Sequence, residues 1–306
     1  MTGDRPQRVW VDGEILDANE RHLSAFDRGF QLGDGVFETL RARHGRPTEL
    51  EAHLQRLHRS ADGLEIALPD DVDVRLAAGI DDLLAAVGLG GPDGDASVRI
   101  TVTRGAYRTR GVLPPHETVP ATIVVQAWPV GPTPADHLER GLHLIASSVR
   151  RDPQNPLATL KTTSRAEYVY ARLEARRAGA DDALFLTVDD DLSEGTSANI
   201  FLVRRASDGV EELATPSLAS AILPGTTRSW LLAWGARVGL RPFEGRLRRA
   251  DLAAADEAFL SSSVAGILPV TAFDGAPIGT GHPGPWTLRA RNDREAMIGA
   301  AADEST

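Results

Sequence analysis

Cysteine is absent from the 306 residues, so neither a disulfide nor a thiolate metal site is open to this chain. Lysine is almost absent: Lys161 is the single lysine among 33 Lys and Arg side chains. No apolar run approaches the roughly 18 residues of a membrane span, and no charged-then-apolar leader opens the sequence. Neither secretion nor a span is indicated, and a cytoplasmic location is expected. A basic surplus is missing too. The formal net charge of −10 argues against a nucleic-acid surface, which needs a basic stripe, and suits work on small molecules. No internal repeat or low-complexity tract is present. What remains is an ordinary globular composition, 42% apolar and 25% charged, in a chain long enough for two domains.

The lone lysine sets the chemical question. Arginine stays protonated near neutral pH and cannot act as an amine nucleophile, whereas lysine can once its pKa is lowered. Lys161 stands at the mouth of a helix-like run, Ser164 to Arg177, with Ala166, Val169 and Leu173 along one face. Thirty-three residues further on, Glu194 lies in a small-residue loop, Leu192-Ser193-Glu194-Gly195-Thr196-Ser197-Ala198-Asn199, between strand-like runs at 183–188 and 199–203. Codon usage could account for one surviving lysine. A second carboxylate-bearing motif in register with it calls for more.

The rest of the chain reads as a mixed α/β succession. Residues 1–8 form a polar start, and Asp12-Gly13 turns a short hairpin over 9–15. Gly29, Gly33 and Gly35 make 23–40 read as a glycine-rich loop leading to a strand, with Phe37 a core aromatic on pattern alone. Leu50, Leu54, Leu57, Ala61 and Leu64 give a helix over 47–64 that carries Arg56, and 72–87 gives a second helix ended by Gly88. Strands are expected at 98–102 and 122–128, and between them Arg104, Arg108 and Arg110 suggest an anion trap or an exposed charged loop. Pro129 to Pro134 is the clearest linker, dividing a smaller domain, 1–128, from a larger one, 135–306. A strand at 141–149 leads to the loop that delivers Lys161. Thr226 and Thr227 open a helix after Leu223-Pro224-Gly225, a start whose N–H groups suit an anion or an ordinary cap. Strand 257–260 enters the Ser261-Ser262-Ser263 loop, 286–300 forms a last helix, and 301–306 a frayed tail.

In combination these motifs resemble the fold-type IV pyridoxal-phosphate enzymes, a family that includes branched-chain and D-amino-acid aminotransferases and aminodeoxychorismate lyase. The resemblance runs from about Val9 to Val270. It implies a two-domain α/β (α+β type) fold with pyridoxal 5'-phosphate in the interdomain cleft, and a homodimer whose pockets borrow a loop from the neighbouring subunit. It makes Lys161 the Schiff-base lysine and the proton carrier at the substrate, and Glu194 the carboxylate that keeps the pyridine nitrogen protonated. The HLxRL run gives Arg56 to the cofactor phosphate, where a guanidinium fork is well shaped. The LxGxTR run adds Thr226 and Thr227 there and sets Leu223 against the ring. The serine loop offers Ser263 to the phosphate or the substrate. DRGFQLGDGVFETLR turns Phe37 into a pocket wall, and Arg110 takes the slot of a substrate-carboxylate arginine.

The reaction is less sharply marked. Arg165 and Glu167 match the Lys-x-x-x-Arg-x-Glu spacing of the lyases, whereas Glu-Gly-Thr-Ser-Ala-Asn is aminotransferase-like. Ala166 stands where branched-chain enzymes carry tyrosine, and Val112 where D-amino-acid enzymes carry histidine. The expected function is amino transfer between an amino acid and a 2-oxo acid, with 4-amino-4-deoxychorismate lysis as the alternative.

Overall fold

Asp12 and Gly13, at φ of 52° and 117°, turn β1 (Arg8–Val11) into β2 (Glu14–Asp17), as the Asp-Gly pair leads one to expect. The computed structural model describes residues 7–114, 116 and 119–303, so most of the expected polar start (1–6) and the end of the expected frayed tail (304–306) lie outside the described residues. The chain divides into two units. Met1–Gly131, Leu160–Arg165 and Ile298–Thr306 form the first; Pro132–Thr159 and Ala166–Met297 form the second. A linear cut at the Pro/Gly linker does not anticipate the return of 160–165. That return is made by backbone pairing, which leaves no mark in composition.

In the first unit, α1 (Arg28–Leu32) occupies part of the stretch read as a loop. Asp27 accepts from the Gly29 N–H, and Gly33 at φ 67° closes the helix. Then come β3 (Gly35–Arg43), β4 (Arg46–Pro47), α2 (Leu50–Gly63), α3 (Val72–Ala86), β5 (Asp95–Thr103) and β6 (Thr122–Pro129). The helix α2 starts later than expected because Arg46–Pro47 pairs back on β3 and Glu49 turns the chain at φ 53°. The six strands lie in the order β2-β1-β6-β5-β3-β4, every pairing antiparallel. Strict alternation assigns the two faces. Val98, Ile100 and Val102 of β5 join Leu54, Leu57, Leu76 and Ile80 of the helices in one core. Ser97, Arg99 and Thr101 point the other way, with Phe37 and Thr39 of β3. That second face matters below.

The second unit contains α4 (Ala135–Glu139), β7 (Leu142–Arg151), α5 (Ala166–Arg177), β8 (Asp182–Thr187), β9 (Leu192–Gly195), β10 (Asn199–Arg205) and β11 (Glu211–Pro216). It continues through α6 (Thr226–Val238), β12 (Arg241–Gly245), α7 (Arg249–Ala253), β13 (Glu257–Ser262), β14 (Gly266–Phe273), β15 (Ala276–Pro277) and α8 (Pro285–Asp303) as far as Met297, the rest of α8 counting with the first unit. The sheet order is β12-β11-β10-β13-β14-β7-β8-β9, and a β9–β10 pairing at Glu194 and Asn199 closes six of these strands into a ring. Every residue of β8 is buried, as a strand covered on both faces requires.

Two expectations need correction here. Glu194 is not in a loop: Leu192–Gly195 pairs with β8 as β9, and this strand was hidden by its small, polar residues. The buried face of α5 is Ala171 and Ala175, while Val169 is exposed. Small side chains let the helix lie close to the strands beneath, so the larger apolar residues do not mark its inner face. Among the described residues no helix is long and apolar enough to cross a membrane.

Candidate active site

Lys161 lies next to an isolated bridge, Thr162 to Val36, on the edge of β3. Its carbonyl accepts from the Phe37 N–H at 2.9 Å, and the Thr163 N–H donates to Gly35 O at 2.9 Å. Its own N–H donates to Ser60 Oγ of α2 at 3.1 Å. Gly35 has to be glycine, since an added Cβ would sit 2.7 Å from Val102 O. The backbone of Lys161 is thus fixed by two elements of the first unit, which is what a reacting side chain needs from its support. The amine lies 4.6 Å from the centre of the Phe37 ring. Phe37 is buried, as a core aromatic would be, but it lies outside the helix-packed cluster, on the opposite face of the sheet and beside the Lys161 amine.

Two more cations attend that ring: the Arg99 guanidinium at 3.9 Å and Arg165 at 5.6 Å. Arg99 donates to Thr101 Oγ1 at 3.2 Å and has no carboxylate partner among the described residues. Burial, with the charge of Arg165 added, pushes its pKa below the usual arginine value. Such a cluster of cations favours an incoming anion. Sequence reading missed Arg99; the available signal was an arginine placed at an alternating position of a half-buried strand, where a β-branched residue is the norm.

Arg56 is buried on α2 and paired with Glu38 of β3, Nε to Oε1 and Nη2 to Oε2, both at 2.7 Å. His53 Nδ1 adds a third bond to Glu38 Oε2 at 2.8 Å. Glu38 has no exposed surface. Burial by itself would raise its pKa, but the bonds from Arg56 and His53 and the charges of Arg56 and Lys161 bring it down to about 2. The carboxylate takes one edge of the guanidinium fork and fixes its plane. Neither Glu38 nor His53 was singled out in sequence.

In the second unit, Glu194 is buried on β9. Its Oε2 accepts the Leu223 N–H at 2.9 Å and Asn199 Nδ2 at 3.3 Å, and Asn199 also donates to Leu223 O at 3.0 Å. Arg151 Nη2 stands 3.8 Å from Glu194 Oε1, and Arg151 also binds Glu167 and the Tyr168 hydroxyl. Burial works to lower the Arg151 pKa; Tyr168, Glu194 and Glu167 together outweigh it and raise it. Leu223 is half-buried and joined to Glu194 through its backbone.

Two residues on, Gly225 starts α6 with no side-chain cap. A Cβ there would lie 2.2 Å from Asn199 Oδ1, so any other residue would force the Asn199 side chain to move. Thr226 Oγ1 and Ser263 Oγ are 3.1 Å apart, and Thr227 Oγ1 accepts from Arg294 at 3.3 Å. Thr226, Thr227, Ser263, Leu223 and Glu194 are therefore one connected group. Asn199 and Arg151 are its members that sequence reading passed over.

The arginines of the loop differ in their surroundings. Arg104 donates to both oxygens of Asp34 and to Glu65 O, and serves the turn after α1. Burial pulls the Asp34 pKa up, and the bonds from Arg104 and Arg28 more than reverse it. Arg110 is exposed and makes no hydrogen bond or ion pair among the described residues. It is not brought to Phe37 and Lys161 by any contact within its unit. Beneath it, the buried Arg28 donates to Gly111 O at 3.0 Å and Val112 O at 2.6 Å and holds the loop.

Comparison with known proteins supplies the context for this geometry. A putative branched-chain-amino-acid aminotransferase of Methanocaldococcus jannaschii is 33% identical over 285 residues, 93% of this chain and 94% of that protein. The structure of the T.th. branched-chain amino acid aminotransferase with pyridoxamine 5'-phosphate is similar at a TM-score of 0.86 and 29% identity, covering 96% of this chain and 95% of that one. That of 4-amino-4-deoxychorismate lyase from Pseudomonas aeruginosa is similar at 0.77 and 34% identity, covering 93% and 97%. The amino-transferase class IV family profile matches residues 35–273, the stretch that contains every group described above except the α1 turn and Arg294. On that match and on the archaeal relative, this chain belongs to the amino-transferase class IV family and is an aminotransferase with the two-domain fold-type IV architecture.

Proposed function

We propose that the chain binds pyridoxal 5'-phosphate covalently through Lys161 and transfers an amino group between an amino acid and a 2-oxo acid. The residues suit that group in chemistry. Lys161 offers a primary amine on a fixed backbone, Glu194 a buried carboxylate, and the uncapped start of α6, with Thr226 and Ser263 beside it, a cradle for phosphate. When bound, the group supplies an electron sink for charge at the substrate carbon. The other roles fall to side chains. Lys161 Nζ would hold the group and would serve as the proton carrier at the substrate Cα. Glu194, fixed by Leu223 and Asn199, keeps a proton on the pyridine nitrogen. Arg56, Thr226, Thr227 and Ser263 would hold the phosphate, and Leu223 would contact the ring. Phe37 walls the substrate side.

The observation that carries the substrate reading is the set of cations at Phe37. Arg99 and Arg165 offer positive charge to a substrate carboxylate, with Arg110 as a further candidate when the chain pairs with a second copy. Homodimerisation is part of this proposal. Phe30, Val112 and Leu113 expose 77%, 83% and 81% of their surface, a feature that suits coverage by a second chain. Light scattering expects twice the 32.7 kDa of one chain.

The test is a half-reaction screen. Single amino acids, L and D, are added to the holoenzyme, and conversion to the aminated cofactor is followed by absorbance and reversed with 2-oxo acids. Acidic amino acids should react among the fastest. A second reading, lysis of 4-amino-4-deoxychorismate, is favoured by the spacing of Arg165 and Glu167 after Lys161 and by the 34% identity to the lyase. Pyruvate release from that compound, with no amino acid able to aminate the cofactor, would replace the first reading with the second.

A further inference from the structure

We propose that Glu38 is a positioning residue for Lys161: joined to Arg56 and His53, it forms a buried charge unit on the same two elements that hold the Lys161 backbone, and so sets both the plane of the Arg56 guanidinium and the field around the Lys161 amine. The inference rests on the reading of Lys161 and Arg56 as cofactor residues and assigns a role to a carboxylate which that reading leaves unused.

The geometry begins with shared supports. Lys161 is fastened by the N–H of Phe37, the residue before Glu38 on β3, and by Ser60 Oγ, one helical turn after Arg56 on α2. Leu160 packs over the end of the same helix, where a Cβ on Gly63 would come within 2.6 Å of its Cδ1. Glu38 crosses between these supports, bound to Arg56 at two points and to His53 at a third. A displacement of Glu38 therefore reaches the Lys161 peptide from both sides.

The chemistry points the same way. A buried carboxylate is costly unless paired, and an apolar pair of equal volume would join β3 to α2 as well. A charge at this place does what an apolar pair cannot, because it acts on other charges. Among the described residues of the first unit, the charged or titratable groups include Glu38 on β3 with its partners His53 and Arg56 on α2, and Arg99 on β5 and Arg165 on the Lys161 segment, both at the Phe37 ring. Beside these three guanidinium groups, Glu38 contributes a negative charge that Lys161 feels. Its interaction with Lys161 also appears from the other side, since Lys161 is among the charges that hold the Glu38 carboxyl low. His53 Nε2 is buried with no hydrogen-bond partner among the described residues, so the ring is oriented by its bond to Glu38.

Glu38→Gln keeps the shape and removes the charge. A negative group lost beside a titrating amine destabilises its protonated form. The pH midpoint of the cofactor absorbance change should accordingly fall by about one unit, the scale of one nearby charge. With one edge of Arg56 no longer held, capture of pyridoxal 5'-phosphate by the apo-protein should weaken roughly tenfold, the size of one charge-assisted bond. Glu38→Asp retains the charge but withdraws it by one methylene, and should show the same two changes at smaller size. It also serves where Glu38→Gln does not fold. A purely structural Glu38 would lower the melting temperature and leave the midpoint in place, and that result in whichever variant folds overturns the proposal. Wild-type protein that takes up no pyridoxal phosphate would overturn it together with the cofactor reading, while normal uptake with an unmoved midpoint removes Glu38 alone.

Discussion

Glu38 and Arg99 are the two residues whose charges are hardest to account for by packing. Glu38 is held at about 2 against an ordinary 4.5, so its contribution to stability is complete above 4.5 and is lost as the pH falls through about 2. That displacement corresponds to about 3 kcal/mol as an order of magnitude. Urea unfolding from neutral pH down to about pH 2.5 should show this loss in the wild type, and a shallower acid slope in Glu38→Gln. Equal slopes would remove the assignment. Arg99, partly buried beside Arg165 and without a carboxylate among the described residues, is placed to meet a substrate anion. Arg99→Gln should raise KM for an acidic amino donor by roughly ten- to a hundredfold with kcat nearly kept, as loss of a binding contact common to ground and transition states requires. A fall in kcat at unchanged KM would place Arg99 elsewhere in the reaction.

Elements differ in how plainly the sequence announces them. The helices α2 and α3 follow the spacing of Leu54, Leu57, Leu76 and Ile80, because one face of each packs on a sheet. The hairpin at Asp12-Gly13 follows from backbone freedom alone. By contrast, α1 is only five residues long and β9 is mostly small or polar, and both are specified by long-range partners: Asp27 by Thr103 and Thr122, Leu192–Gly195 by β8. The face of α5 was misread because its contact residues are alanines. At the start of α6 both levels agree. Gly225 is favoured by its closeness to Asn199, and Asn199 links Glu194 to Leu223. Gly225→Ala should cost about 1–3 kcal/mol in stability through the forced shift of Asn199. It should also weaken cofactor retention, measurable as faster loss on dialysis. A variant with wild-type retention would show that the cradle tolerates that shift.

Over the whole molecule, the proposed chemistry is divided between the units. The first carries the amine and its charges, Lys161, Glu38, Arg56 and Arg99; the second carries Glu194, Thr226, Thr227 and Ser263. The motif-bearing members of both sets were legible in sequence, since a lone lysine, an HLxRL helix and a Gly-Thr-Thr start each carry a local mark. Their partners, Glu38, His53, Asn199 and Arg151, were not, because a side chain chosen to hold another is defined only once the fold brings the two together. Glu194→Ala should leave attachment at Lys161 intact and lower turnover by about 10²–10³, the range for a lost electrostatic stabiliser. Loss of attachment instead would mean that Glu194 serves binding and not the electron sink.

The account stands most directly on one labelling experiment. Folded protein is incubated with pyridoxal 5'-phosphate, reduced with borohydride, digested and mapped by mass spectrometry. A single phosphopyridoxyl group on Lys161, absent in Lys161→Arg together with turnover, is the expected result. Protein left unlabelled, or labelled only at its terminal amine, or a Lys161→Arg variant with full turnover, would contradict it.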